Sequence, residues 1–320
     1  MESSAQRSAP QWQILSAFCS VYLFWSATYA ASRIGVHYVP APLLAGVRLL
    51  LGGCLMLTFC AVRGKKIMGT AQEMQRLLLL GVLLLFGGNV GLVWAEYYLP
   101  SGFAALLVAV VPIYVAIVEW MLPGGERLRA RGLAGLVLGF LGLGMLVWPS
   151  LHHGLRGDTR QMLAIAVLLL GALSFTCGSV LARRSALSLH PLVCAGWEML
   201  VACACDLTLG TALHEWRVAQ WNHASIAAVG YLLLFGSLAG FSAYIWLLAH
   251  VPVAKVATYA YVNPAVAVLL GAIFLHERLL PNEYAGMAVT LLAVFLVTSS
   301  QMQSGRAAAE VECVAVEAEG

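Results

Sequence analysis

The stretch Trp246–Gly286, WLLAHVPVAKVATYAYVNPAVAVLLGAIFLHERLLPNEYAG, decides how the rest of the chain is read. It reads as an apolar helix broken near its middle by Asn263-Pro264, because proline cannot supply a helical hydrogen bond. The polar group His276-Glu277-Arg278 closes it. An imperfect copy runs from Trp94 to Gly135. Trp94 and Trp246, Pro100 and Pro252, and Pro112 and Pro264 are each 152 residues apart. Glu126-Arg127-Leu128 then matches Glu277-Arg278-Leu279 at an offset of 151, and Ala134-Gly135 matches Ala285-Gly286 in the same register. The chain therefore carries two copies of one unit, each with a broken helix.

The setting of these copies is a bilayer. Of 320 residues, 61% are hydrophobic and 10% charged, where soluble domains carry about 25% charged residues. The net charge of +3 is spread between apolar runs and forms no basic face, which excludes nucleic acid as a partner. Seven of the eight cysteines lie in or beside apolar segments and only Cys313 does not; no pair has metal-ligand spacing, so they read as small hydrophobes.

A helix that crosses ~30 Å of hydrocarbon needs ~20 apolar residues. Ten segments qualify, near 13–35, 42–62, 75–97, 101–122, 131–149, 161–182, 190–211, 224–249, 253–274 and 281–300. The first is read as a span and not as a signal peptide, because its apolar run is too long and only Arg7 precedes it. The expected architecture is an all-α polytopic membrane protein. A polar segment, 1–12, leads into five-helix repeats at 13–149 and 161–300, and an acidic tail at 301–320 reads as disordered. Lys and Arg divide twelve to six in favour of a cytoplasmic N-terminus, so both termini are expected inside. Five helices per repeat force the second copy to insert upside down, the arrangement of many secondary transporters.

The motifs also resemble a known family. Trp25-Ser26-Ala27-Thr28, Arg48, Tyr98-Leu99-Pro100, Pro112 with Glu126-Arg127-Leu128, Tyr261-Val262-Asn263-Pro264 and Glu277-Arg278-Leu279 follow one another as in EamA-type permeases of the drug/metabolite transporter superfamily. The resemblance covers about 14–149 and 162–300, and the sequence departs from the pattern at Glu198 and Lys255. It implies a ten-helix inner-membrane exporter of small metabolites, amino acids or drugs, working by alternating access.

Charges inside hydrocarbon cost at least ~2.5–3.5 kcal/mol each, so each one retained is a candidate. Glu198 aligns with Arg48 through Gly196 and Gly46, and reads either as a cavity pair that binds substrate or cycles a proton, or as an ion pair tying two helices. Asp206 is expected near the outer interface, and Glu119 and Lys255 near helix ends, where long side chains reach the headgroups. Asn89 and Glu96, seven apart, share a helical face. Trp25, Tyr29, Trp94, Tyr244 and Tyr259 with Asn263 gather where a substrate cavity is expected, their aromatic walls suiting amphipathic or cationic molecules. Belts of interfacial aromatics are the alternative.

Pro112 and Pro264 read as hinges or packing kinks. Glu126-Arg127 and Glu277-Arg278 read as gates or caps on the ends of the fourth and ninth helices. Gly132, Gly135, Gly139 and Gly142 form a stripe for close packing, within the bundle or between two copies, so monomer and homodimer both stand. No cofactor or metal is expected, since His276-Glu277 lacks a second histidine at Leu280, and the chain shows neither a phosphate loop nor a selectivity filter. A small molecule, with or without protons, and the bilayer are the expected partners; import, exchange and, remotely, intramembrane catalysis are the rival functions.

Overall fold

The computed structural model describes residues 10–123, 130–154, 159–277, 281, 284–297 and 299–300. Glu126, Arg127, Arg278 and the segments 1–9 and 301–320 lie outside the described residues. Among the described residues there is no strand. The helices are α1 (Gln11–Val36), α2 (Ala41–Val62), α3 (Ala71–Ala95), α4 (Ser101–Met121), α5 (Ala130–Gly154), α6 (Thr159–Arg184), α7 (Pro191–Ala212), α8 (His223–His250), α9 (Val253–Val256 with Tyr259–Phe274) and α10 (Tyr284–Val297). Seven of them, α1 to α4 and α6 to α8, are long and apolar enough to cross a membrane. Shorter apolar helices occupy Arg131–Met145 in α5, Val262–Phe274 in α9, and α10.

Local chemistry sets the ends. Thr70 and Glu73 form a reciprocal capping box that opens α3, and Asn222 and Ser225 do the same for α8. Pro191 starts α7, where the missing N–H has no intrahelical partner to lose. After α2 the chain turns through Gly64 at φ 66°, a left-handed position that glycine adopts without a Cβ clash.

In lipid, apolar surface gains little by moving from hydrocarbon to protein, so association rests on close contact at small residues. The central pair, α2 and α7, shows this. A Cβ on Gly46 would lie 2.6 Å from Leu207, one on Gly53 2.8 Å from Leu200, and one on Gly196 2.8 Å from Leu57. The numbers in each facing pair sum to 253, so the two helices run antiparallel.

Around this pair the two halves interlock. α1 packs on α8 and α9, whereas α6 packs on α3 and α4. Tyr22 Oη meets Thr258 Oγ1 at 2.6 Å, joining α1 to α9 across 236 residues of sequence. The glycine stripe of α5 faces α10: Gly135 abuts Val297, Gly139 Ala293 and Gly142 Thr290. The stripe serves packing within the bundle.

Two departures from helical regularity recur in both halves. Val82–Val90 of α3 and Leu232–Phe241 of α8 are π-helical. α4 is interrupted at Ala109–Val110, and α9 at Ala257–Thr258. The expected break at Asn263-Pro264 is therefore corrected. Pro264 sits inside the continuous helix Tyr259–Phe274, and the interruption falls six residues earlier. Pro112 stands in the first turn after its own break, where proline costs little. At the α9 break the Thr258 hydroxyl donates to the Lys255 carbonyl at 2.6 Å, so this irregular turn keeps its polar groups satisfied.

Candidate functional site

Both π segments and both helix breaks converge on one internal cavity of about 100 Å³. Non-helical backbone at membrane depth is tolerated only when buried in protein or facing a polar cavity, and π segments favour functional sites. Its walls combine Trp25 and Tyr29 of α1, Phe175 of α6, Phe241 of α8 and Tyr259 of α9. Arg48 and Asn89 supply its strongest polar groups, with Thr28 and Ser237 beside them.

The walls obey the same pseudo-two-fold relation as the helices. Trp25 and Phe175, 150 residues apart, meet edge to face with centroids at 6.1 Å. Trp25 fills the space left by Gly240, where a Cβ would come within 2.4 Å of its indole nitrogen, and donates from that nitrogen to the Gly236 carbonyl at 3.1 Å. Phe175 fills the space beside Gly88 in the mirror-related place, 2.8 Å from its would-be Cβ. Each large ring thus comes from one half and its glycine from the other.

Of the nine residues expected at the cavity, Trp25, Tyr29, Arg48, Asn89 and Tyr259 line it, and four lie elsewhere. Asn263 braces α1 against α9: Ser26 Oγ lies 3.0 Å from its amide, and with the amide nitrogen turned to donate it also reaches the Tyr22 and Tyr259 carbonyls at 3.3 and 3.2 Å. Trp94 meets Tyr98 edge to face at 5.1 Å. Tyr244 packs behind the wall, against Trp25 at 5.0 Å and Phe175 at 5.1 Å, and shares a 2.7 Å hydrogen bond with the Ser179 hydroxyl.

Glu198 lines a second hollow, of about 620 Å³, together with Arg183, Arg184 and His250. Along α6 the order is Phe175 at the cavity, Ser179, then Arg183 at the hollow, and along α8 it is Phe241, Tyr244, then Leu248. The Tyr244–Ser179 layer therefore separates the two spaces.

Arg48 and Glu198 do not pair. In the antiparallel register they stand seven positions apart, about 10 Å at 1.5 Å per residue. Among the described residues Arg48 makes no ion pair with any acidic side chain. Asp206, expected near an interface, is fully buried against α2, its Cβ 3.2 Å from a Cβ built on Gly46. The π segment also breaks the shared face of Asn89 and Glu96: Asn89 lines the cavity, whereas Glu96 is buried at the end of α3.

Two clasps stand at opposite ends of the bundle. At one, Arg33 pairs with Glu277 at 3.1 Å and donates to the carbonyls of Glu96 and, at 2.7 Å, Leu99. Glu277 does not cap its own helix. Its carboxylate accepts from Ser101 N at 3.0 Å, Ser101 Oγ at 2.7 Å and Gly102 N at 3.3 Å, and so caps α4, an anion at a helix N-terminus. At the other, Arg184 pairs with Glu119 at 2.7 Å, and Arg183 donates to the Ala249 carbonyl at 3.2 Å. Arg33 and Arg183 are 150 residues apart, as copies of one position should be. Sequence reading missed Arg33; its place in the last turn of α1, matched by Arg183 and Arg184 in the last turn of α6, was the available signal.

A helical membrane protein with a central cavity between two homologous halves, clasped at both ends, has the form of a membrane transporter. Comparison gives the family: the EamA-like transporter profile matches residues 11–148 and again 162–299, and the chain belongs to that family. It is similar to the uncharacterized inner membrane transporter YedA of Escherichia coli (strain K12), 35% identical over 286 residues, covering 89% of this chain and 90% of YedA. It is also similar to a probable amino-acid metabolite efflux pump of the same organism, 25% identical over 285 residues, covering 86% of this chain and 91% of the pump. One crystal structure shares the fold at a TM-score of 0.66 and 21% identity, over 92% of this chain and 99% of its own.

Proposed function

We propose that this transporter exports small organic metabolites, amino acids or drugs across a bacterial inner membrane by alternating access. The reading takes ten spanning helices as two inverted five-helix repeats with both termini in the cytoplasm. The observation that carries it is the central cavity, where both π segments and both helix breaks meet between clasps at the two ends of the bundle. The antiparallel α2–α7 pair supports inversion, because equivalent helices of an inverted duplication must run in opposite directions. The printed names of the two Escherichia coli relatives support an inner membrane and efflux.

In this reading, opening one clasp while the other holds exposes the cavity to one side at a time. Pro112 and the Ala257–Thr258 turn, each beside a helix break, supply the bending points. Glu198 is the proposed proton site. It is buried with Oε2 free of any protein partner, and the hollow it lines lies one aromatic layer from the cavity.

Proteoliposomes with an imposed pH gradient test this. Export of a substrate found by thermal-stabilisation screening should follow the gradient, and Glu198→Gln should uncouple it while leaving substrate-induced stabilisation intact. Transport indifferent to both the gradient and Glu198→Gln would remove proton coupling; covalent conversion of the substrate would remove transport itself.

A further inference from the structure

We infer that the central cavity takes a small aromatic carboxylate, held by Arg48 and Asn89 against its aromatic walls. The inference rests on reading this cavity as the transport site. It starts from the polar groups left over once every hydrogen bond within the protein is assigned.

Arg48 is 5% exposed, and among the described residues its Nε is buried without a hydrogen-bond partner, as is Nδ2 of Asn89. Tyr29, Tyr259 and Ser237 also line the space and bring their hydroxyls to it. These groups are donors or hydroxyls, and no carboxylate lines the cavity with them. Neither Asp206 nor Glu96 approaches Arg48 closely enough for an ion pair among the described residues.

A buried guanidinium without a contact partner is costly, and a planar carboxylate is its best-matched ligand, through two parallel N–H···O bonds. An ammonium group would face the Arg48 charge with only neutral acceptors, the Asn89 carbonyl and the hydroxyls, and no carboxylate to neutralise it. That disfavours organic cations, and it disfavours amino acids relative to plain acids. The rest of the wall is aromatic, Trp25 and Tyr259 meeting edge to face at 5.4 Å, and a volume of about 100 Å³ restricts the ligand to a small one. The aromatic walls, read from sequence as suiting amphipathic or cationic molecules, here surround an amphipathic anion.

The test uses the purified full-length protein and three probes of one size: phenylacetate, phenethylamine and benzyl alcohol. Phenylacetate should raise the Tm and the other two should not. Arg48→Gln should weaken phenylacetate binding by tenfold or more. Asn89→Asp, which places a negative charge in the same cavity without touching Asp206, should abolish it and admit phenethylamine. Equal stabilisation by phenethylamine, no stabilisation by any probe, or indifference to Asn89→Asp would each overturn the inference, even if Arg48→Gln fails to fold.

Counterflow in proteoliposomes separates this from the reading beneath it. Phenylacetate bound through Arg48 but never moved would leave the anion site standing and remove its role in transport. Benzyl alcohol or phenethylamine moved through a cavity indifferent to Asn89→Asp would do the reverse.

Discussion

The two ends of this molecule are each held by one arginine–glutamate pair, built from different positions of the repeat and set at different depths. At the Arg33 end, one carboxylate does two things: Glu277 neutralises Arg33 and caps α4, with side-chain exposures of 22% for Arg33 and 13% for Glu277. At the Arg184 end the pair is more open, 35% and 17%, and a hollow of about 620 Å³ lies beside it, with only the Tyr244 layer between that hollow and the cavity. The comparison teaches that two clasps need not be copies of one pair to hold opposite ends, and that burial decides how strongly each one holds. In the conformation described, the Arg33 end is the tighter seal.

The largest effect should come from the layer that distinguishes the two ends. Tyr244→Ala should cost about 3–5 kcal/mol, as expected for truncating a large buried aromatic side chain, and should join the hollow to the cavity. A cysteine placed at Thr28 would then react with a membrane-impermeant maleimide from the Arg184 side only; unchanged labelling would show that Tyr244 is not the separating layer.

Glu277→Gln should cost about 2–4 kcal/mol, since it leaves a half-buried Arg33 unpaired and weakens a helix cap, and thermal denaturation in detergent measures it. Gly240→Ala should cost about 1–3 kcal/mol by driving a methyl group into Trp25, with a similar loss at its counterpart, Gly88→Ala; a loss at one alone would break the pseudo-symmetry of the walls. Glu119→Gln should be the mildest, about 0–1 kcal/mol, because its partner is more exposed. Should Glu119→Gln cost more than Glu277→Gln, the ranking of the two ends is reversed.

Much of this was legible in the sequence. The repeated prolines, Glu-Arg pairs and 150-residue spacing give the two halves, and apolar length gives helices whose ends mostly fall within a few residues of those observed. The π segments were not legible. Gly87-Gly88 and Gly236 mark where backbones come close, but no residue type specifies five-residue over four-residue hydrogen bonding. The break in α9 was misplaced because Pro264 is the loud signal, whereas the real interruption is held by tertiary contact between Thr258 and Tyr22.

The expected Arg48–Glu198 pairing failed for a geometric reason. Residues in equivalent places on the antiparallel α2 and α7 face each other only where their registers meet, near Leu51 and Val201, and Arg48 and Glu198 lie to either side of that point. Five cavity residues were recognised because aromatics, an amide and a charge are conspicuous in apolar helices. Ser237 and Thr28 were passed over because small hydroxyls inside helices are common.

The interlocking of α1 with α8 and α9 also sets a schedule for making the protein. Tyr22 and Ser26 leave the ribosome long before Thr258 and Asn263, the residues that will hold them, 236 and 237 positions later. At about 5–20 residues per second this leaves α1 waiting for roughly 10–50 s without its native neighbours. For that time the first helix sits in lipid with Ser26 lacking its tertiary partner, open to other helices and to quality-control proteases. Neither half can complete its packing alone, so the last helices to enter the membrane also release the first from that wait.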